Sequence, residues 1–254
     1  FGTALHNGTL YVLGGTGNGA VSLNAVQFAG TSVVGGVGAW SATPAFGAAG
    51  PARLRHCSAQ HNGFLYVIAG ETSGSYLSDV LHAPLDPGGS VGAWATTSSL
   101  PGTRMGAAAA VHGESVYVLG GFSGGTNHNT VLRATINPDG TLSAWTAQNA
   151  FANGRWGHAV IASGGFLYVL GGYATAGTLF GDVQYAPIAA DGTVGAWNST
   201  NAFSGARYLH AAAVHNGFLY VIGGNGASAG PDIFLSDVQY AQINADGTLG
   251  SWSS

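Results

Sequence analysis

A ten-residue unit, His215 to Gly224, constrains this chain more than any other feature, because the same unit occurs five times. The other copies are His6 to Gly15, His61 to Gly70, His112 to Gly121 and Ser163 to Gly172. Each reads as a strand end, a tight turn, an apolar strand and a glycine pair. An internal period of about fifty residues makes the fold an array of one supersecondary unit. The repeat bounds fall at about 1–48, 49–100, 101–151, 152–203 and 204–254, within a single domain.

Four strand-like pieces recur in each repeat. The first is rich in small residues, as in Gly106 to Val111, Gly157 to Ala162 and Leu209 to Val214. The second is apolar without alternation, as in Phe166 to Leu170, which predicts burial on both faces. The third runs through Asp79-Val80, Asp182 to Tyr185 and Asp237 to Tyr240. The fourth is expected to carry a tryptophan: Trp40, Trp94, Trp145, Trp197 or Trp252. Asn7-Gly8, Asn62-Gly63 and Asn216-Gly217 separate the first and second pieces, and Asn-Gly favours the positive φ angles of a hairpin turn. Asp139-Gly140, Asp191-Gly192 and Asp246-Gly247 separate the third and fourth, with Gly35-Gly36 and Gly88-Gly89 in the first two repeats. Ala69-Gly70 is the one lapse from the glycine pair.

A four-stranded sheet that is apolar on both faces is not stable alone. Radial stacking buries both faces, so the predicted fold class is all-β, a β-propeller of five four-stranded antiparallel blades. Alanine runs such as Ala107 to Ala110 suit inner strands converging on an axis, and tryptophans suit the region where blades diverge. The succession Arg207-x-x-His210, apolar strand, Gly223-Gly224, Asp237-Val238-x-Tyr240 and Trp252 resembles the kelch repeat. The stretch Asp191 to Trp197 is similar to kelch-like repeats of bacterial surface proteins. The resemblance covers the whole chain and implies a kelch propeller. That family includes scaffolds, adhesion and ligand-recognition proteins, and a few enzymes. Kelch rings more often have six or seven blades, and closure usually splits one blade between the termini. Here every repeat is contiguous. Either five blades close by face packing alone, which is the expectation, or the chain is a piece of a longer array.

Composition narrows function by exclusion. Charged residues make up 6%, there is no lysine, and the formal net charge is −4. Nucleic acid is therefore not an expected partner, since neutralising phosphates needs clustered cations. No apolar run reaches the roughly 20 residues of a helical membrane span, so membrane insertion is not expected. Cys57 has no internal partner and sits in an inner strand as a small hydrophobe. That register does not match the cysteine-linked tyrosine of copper-radical oxidases on kelch-like folds. Neither a nucleophile-elbow motif nor a phosphate loop occurs.

In a repeat protein the informative residues are those that break register. Arg53, Arg104, Arg155 and Arg207 repeat, as do Asp79, Asp182 and Asp237. They are expected to tie loops to carbonyls or acids, because buried charges need partners. His56, His158 and His210 share one register and are expected to be hydrogen-bonded structural residues, with no metal and no cofactor. The non-repeating residues collect in two loops, one after the repeated arginine and one after the glycine pair. In kelch-like propellers both loops open on one face at the central mouth. Trp156, Tyr208, Phe122, Tyr173, Arg55 and Glu71 are the ligand-binding candidates. The aromatics either stack a sugar face or peptide side chain, or cover neighbouring glycines. No catalytic set is read from the sequence. The leading expectation is a recognition or structural module, secreted or on a cell surface, binding a glycan or protein segment. Two alternatives stand beside it. One is a kelch-type carbohydrate enzyme, such as a sugar oxidase or sialic-acid mutarotase. The other is a surface structural protein that self-associates through its terminal blades.

Overall fold

The computed structural model describes residues 1–17, 21–32, 34–227 and 231–254. It is all-β, and the described residues add a short 3-10 turn at Phe46–Ala48. Among the described residues no helix is long and apolar enough to cross a membrane. The chain divides into two compact units, Phe1–Met105 with Ala134–Thr146, and Gly106–Arg133 with Ala147–Ser254.

The first unit holds two antiparallel four-stranded sheets. One contains β1 (Gly2–His6), β2 (Thr9–Thr16), β3 (Ser22–Gly30) and β4 (Ser41–Thr43), in that order. The other contains β5 (Cys57–His61), β6 (Phe64–Thr72), β7 (Ser75–Pro84) and β8 (Ala95–Thr97). Their facing sides form one core: Tyr11, Leu13 and Val26 of the first sheet meet Leu65, Val67 and Leu81 of the second, with Phe46 between. Strand β1 lies beside β5, as small residues at an inner edge allow. Each second strand is bulged where the glycine pair falls, between Leu13 and Gly15 and between Ile68 and Gly70. Gly14 and Gly15 have φ of 53° and 104°. Two successive left-handed residues explain why the pair is glycine; Ala69 accepts φ 55° at the lapse.

The second unit contains β9 (Ala108–His112), β10 (Ser115–Leu119), the small hairpin β11 (Phe122–Ser123) and β12 (Thr126–Asn127), and most of β13 (Val131–Thr135) and β14 (Thr146–Gln148). Strands β9, β10, β13 and β14 make the third four-stranded sheet. The fourth contains β15 (Ala159–Ser163), β16 (Phe166–Ala174), β17 (Thr178–Pro187) and β18 (Asn198–Thr200). The fifth has β19 (Ala211–His215), β20 (Phe218–Asn225) and β21 (Phe234–Gln242), with a single bridge, Tyr240 to Ser253, in the place of a fourth strand. Strand β15 lies beside both β9 and β19. Tyr117, Leu119 and Val131 pack on Leu167 and Val169, and Tyr168, Leu170 and Val183 pack on Leu219 and Val221.

The tryptophans stand one residue before the outer strands rather than inside them. Their role is nonetheless repetitive. Indole N–H groups of Trp94, Trp145, Trp197 and Trp252 donate to the carbonyls of Pro44, Ser98, Asn149 and Asn201, at 2.8–2.9 Å. Trp94, Trp197 and Trp252 also meet Phe46, Phe151 and Phe203 edge to face. The indole fills volume and satisfies a carbonyl of the preceding repeat in one move.

Candidate functional site

The repeated arginines are structural. Arg53, Arg155 and Arg207 are buried and grip Asp79, Asp182 and Asp237 with both terminal nitrogens, at 2.6–3.1 Å. Each also donates to the carbonyl of the first residue of its glycine pair, Ala69, Gly171 or Gly223. Planar, two-pronged pairing of this kind holds the loop before each inner strand in one position. Arg207 and Gln239 hold the Asp237 carboxyl well below its ordinary range.

The repeated histidines pack rather than bond. His56, His158 and His210 are buried, and their ring nitrogens make no hydrogen bond to described residues within normal limits. This corrects the expectation of hydrogen-bonded histidines for His210, while His56 and His158 keep only a weak approach to the backbone of Leu13 and Leu119. The rings press on positions where only glycine fits: a Cβ on Gly14, Gly120 or Gly171 would stand 2.5–2.9 Å from a histidine Cε1. They also face Phe46, Phe151 and Phe203. Burial, followed by nearby positive charge, pushes their pKa values down to about 3, about 3 and about 4, so they are neutral pieces of the core. Burial raises the Cys57 thiol to about 12, which leaves it protonated and inert. Among the described residues no three histidine, cysteine or acidic side chains gather as a metal site.

The two variable loops pair with each other within a repeat. Leu54 bridges Glu71, Trp156 bridges Tyr173 and Tyr208 bridges Asn225, each through two backbone hydrogen bonds of 2.9–3.0 Å. The pairing brings off-register side chains together, and it does so separately in each unit.

In the second unit Trp156, Tyr173 and Tyr208 form a triangle of rings. Their centroids lie 5.4–5.5 Å apart, with the tryptophan edge-on to both tyrosines. All three are half-buried. The cluster rests on left-handed backbone. Gly106 and Gly157 both have φ of 62°, and an added Cβ would approach Trp156 at 3.1 Å and Tyr208 at 3.3 Å. So the aromatics do cover glycines, and they also form a contiguous aromatic patch. Asn225 extends it with polar groups. Its amide nitrogen reaches the Tyr208 hydroxyl at 3.4 Å and the Asp232 carboxylate at 2.5 Å. Asn225 follows the glycine pair, in the second variable loop; Asp232 was missed from the sequence, where its only signal is an acid outside every repeated register. Phe122 pairs with Asn127 in the small hairpin and is half-buried.

In the first unit Arg55 and Glu71 form an ion pair at 3.1 Å. Arg55 has φ of 52°, left-handed for a residue with a side chain. Its register carries glycine at Gly106 and Gly157 and Leu209 with φ of 53°, so left-handed backbone is a property of this position and a side chain there is strained. The pair lines a cavity of about 650 Å3 together with Thr16, Ser22, Thr72 and Ser73. Arg55 also donates to the Met105 sulfur at 3.5 Å. The six candidates therefore fall into an aromatic triangle, a charged pair in a cavity, and Phe122 on its hairpin.

A family model described as the KLHDC2/KLHL20/DRC7 Kelch-repeats domain matches residues 2–224. No curated protein is a significant sequence match. Among solved structures, YjhT is similar at 17% sequence identity and a TM-score of 0.75, over 99% of this chain and 83% of YjhT.

Proposed function

The chain belongs to the kelch-repeat family, and on that premise we propose that it is a non-catalytic recognition module whose contact surface is the aromatic triangle Trp156, Tyr173 and Tyr208. The kelch fold suits a binding or structural role. The observation that carries the finer reading is the clustering of three half-buried rings beside Asn225 and Asp232, at positions the repeat does not require. An aromatic face bordered by an amide and a carboxylate accepts the C–H face of a sugar ring and its hydroxyls. It accepts an apolar peptide side chain flanked by backbone amides in the same way. A glycan or an exposed protein segment is the ligand class, and the setting is secreted or cell-surface. Glycan and peptide arrays with the intact chain and with Trp156→Ala test this. Loss of at least about ten-fold in binding is expected for the variant, and equal binding by both removes the patch as the site.

One observation favours a second reading. Arg55 and Glu71 converge in a cavity of mixed polar and apolar lining, large enough for a monosaccharide. A carboxylate beside a guanidinium can take up a proton from a bound hydroxyl while the cation steadies the resulting charge. A carbohydrate turnover screen decides it: activity abolished by Glu71→Gln supports an enzyme, and no turnover of any sugar removes it.

A further inference from the structure

The tripeptide His-Asn-Gly stands at three of the turns between first and second strands: His6-Asn7-Gly8, His61-Asn62-Gly63 and His215-Asn216-Gly217. Asn7 and Asn216 are both exposed and left-handed, with φ of 45° and 48°, and the glycines that follow have φ of 73° and 78°. Their backbones match, but their surroundings do not. The carboxamide nitrogen of Asn7 lies 3.1 Å from Nε2 of His6. Gln60, on β5, holds the other side of the ring, with its amide nitrogen 2.9 Å from Nδ1. The side chains of His215 and Asn216 make no hydrogen bond among the described residues.

This arrangement bears on the chemistry of an Asn-Gly pair. The glycine nitrogen can attack the asparagine side-chain carbon, because no Cβ shields it. The Gly8 N–H has no acceptor among the described residues, so nothing withholds it. Gln60 carries a donor and an acceptor on one amide, and so steadies Nδ1 in either charge state of the ring. Nε2 is then the nitrogen turned to Asn7, and the atom it faces is the one that asparagine loses on cyclisation.

We propose that Asn7 is a self-modification site, converted to aspartate and isoaspartate with His6 as the proton donor. Gly8 N forms a bond to Cγ of Asn7 and passes its proton to water. The Cγ–Nδ2 bond breaks, and Nδ2 leaves as ammonia with a proton from Nε2 of the His6 imidazolium. Solvent reprotonates the ring. Water then opens the five-membered imide at either carbonyl, giving aspartate or, with one more methylene in the main chain, isoaspartate. Nδ2 is a poor acceptor as an amide and a good one in the tetrahedral intermediate. The bond from Nε2 is therefore strongest where the leaving group departs. The product places a new carboxylate in the lining of a cavity of about 280 Å3 that Asn7 shares with Tyr11 and Asp86.

The test incubates the intact chain at neutral pH and follows aspartate plus isoaspartate at both sites by peptide mapping and mass spectrometry. Asn7 is expected to convert at least about ten-fold faster than Asn216. His6→Gln is expected to bring Asn7 down to the rate of Asn216 and to leave Asn216 unchanged. Gln60→Leu, which frees the ring, is expected to slow Asn7 by a smaller factor. A loosened hairpin does not imitate these losses, since an opened turn gives Gly8 more freedom to attack and raises the rate. In urea the two sites are expected to convert alike, because the folded contact is gone. Equal rates in the folded chain overturn the proposal. So does a His6→Gln chain in which Asn7 converts as fast as before or faster. A difference that persists in urea also overturns it, in favour of residues flanking the tripeptide.

Discussion

Arg155 shows how much a single side chain is asked to do here. It is fully buried, pairs with Asp182 through two bonds, reaches the Gly171 and Asn153 carbonyls, and lies 3.9 Å from the Phe180 ring centroid. Arg155→Lys keeps the charge but loses the fork. A compact ammonium satisfies fewer of these acceptors and stacks poorly on the ring. Urea unfolding is expected to show a loss of about 2–3 kcal/mol, and Arg155→Ala about 3–5 kcal/mol, since truncation leaves the site's carbonyls and carboxylate unmatched. A change below about 0.5 kcal/mol in either would mean the grip contributes nothing. At the same scale, the proposed function assigns Trp156 to ligand contact more than to folding. Trp156→Ala is expected to lower the unfolding midpoint far less than Arg155→Ala while weakening binding by at least about ten-fold.

At the scale of the element, the glycine pairs are the joints of the sheets. Gly171 has φ of 57°, and a Cβ there would stand 2.7 Å from the Arg207 carbonyl and 2.8 Å from His210 Cε1. Gly171→Ala therefore meets both backbone strain and collision with the next sheet, and is expected to cost about 3 kcal/mol or more. Gly113 has φ of 52° with nothing within 4 Å of an added Cβ, so Gly113→Ala carries strain alone, about 1 kcal/mol. Equal losses in thermal unfolding would show that the histidine contact does not matter. The lapse at Ala69 has the same logic in register: the repeat that follows carries Ala107 where the second, fourth and fifth repeats carry His56, His158 and His210. The turns and apolar strands were legible because hairpin chemistry and burial pattern are local. Trp94, Trp145, Trp197 and Trp252 sit just before the outer strands, where the indole N–H meets a carbonyl of the repeat before, a contact that local propensity does not encode.

At the scale of the whole molecule, the buried histidines set a dependence on pH. Their folded pKa values of about 3 to 4 lie below the ordinary 6.5, so the unfolded chain binds more protons between those values. Stability is then complete above about pH 6.5 and falls as pH drops toward 3–4. Asp139, Asp191 and Asp246, held below their ordinary range first by turn hydrogen bonds to threonine, add a loss that begins only below about pH 4. Between pH 4.5 and 6.5 the histidine contribution dominates, at up to about 1.4 kcal/mol per pH unit for each ring. His158→Gln is expected to flatten the plot of urea midpoint against pH in that window, whatever it does to the midpoint at pH 7. An unchanged slope would show that His158 is not protonated on unfolding.

The sequence alone determined the repeat, the strand and turn order within it, the kelch class and the loops that hold the exceptional residues. Each of these depends on residues close in the chain or on their recurrence. Only the tertiary structure decided that Trp156, Tyr173 and Tyr208 share one patch with Asn225 and Asp232, and that Arg55 pairs with Glu71 in a cavity. Those partners are brought together by backbone bridges across sheet ends, a geometry no spacing rule contains. The placing of His6 between Gln60 and Asn7 was equally invisible in the sequence, since His215-Asn216-Gly217 reads the same as His6-Asn7-Gly8. What a side chain touches belongs to its surroundings, and identical repeats differ in what lies against them.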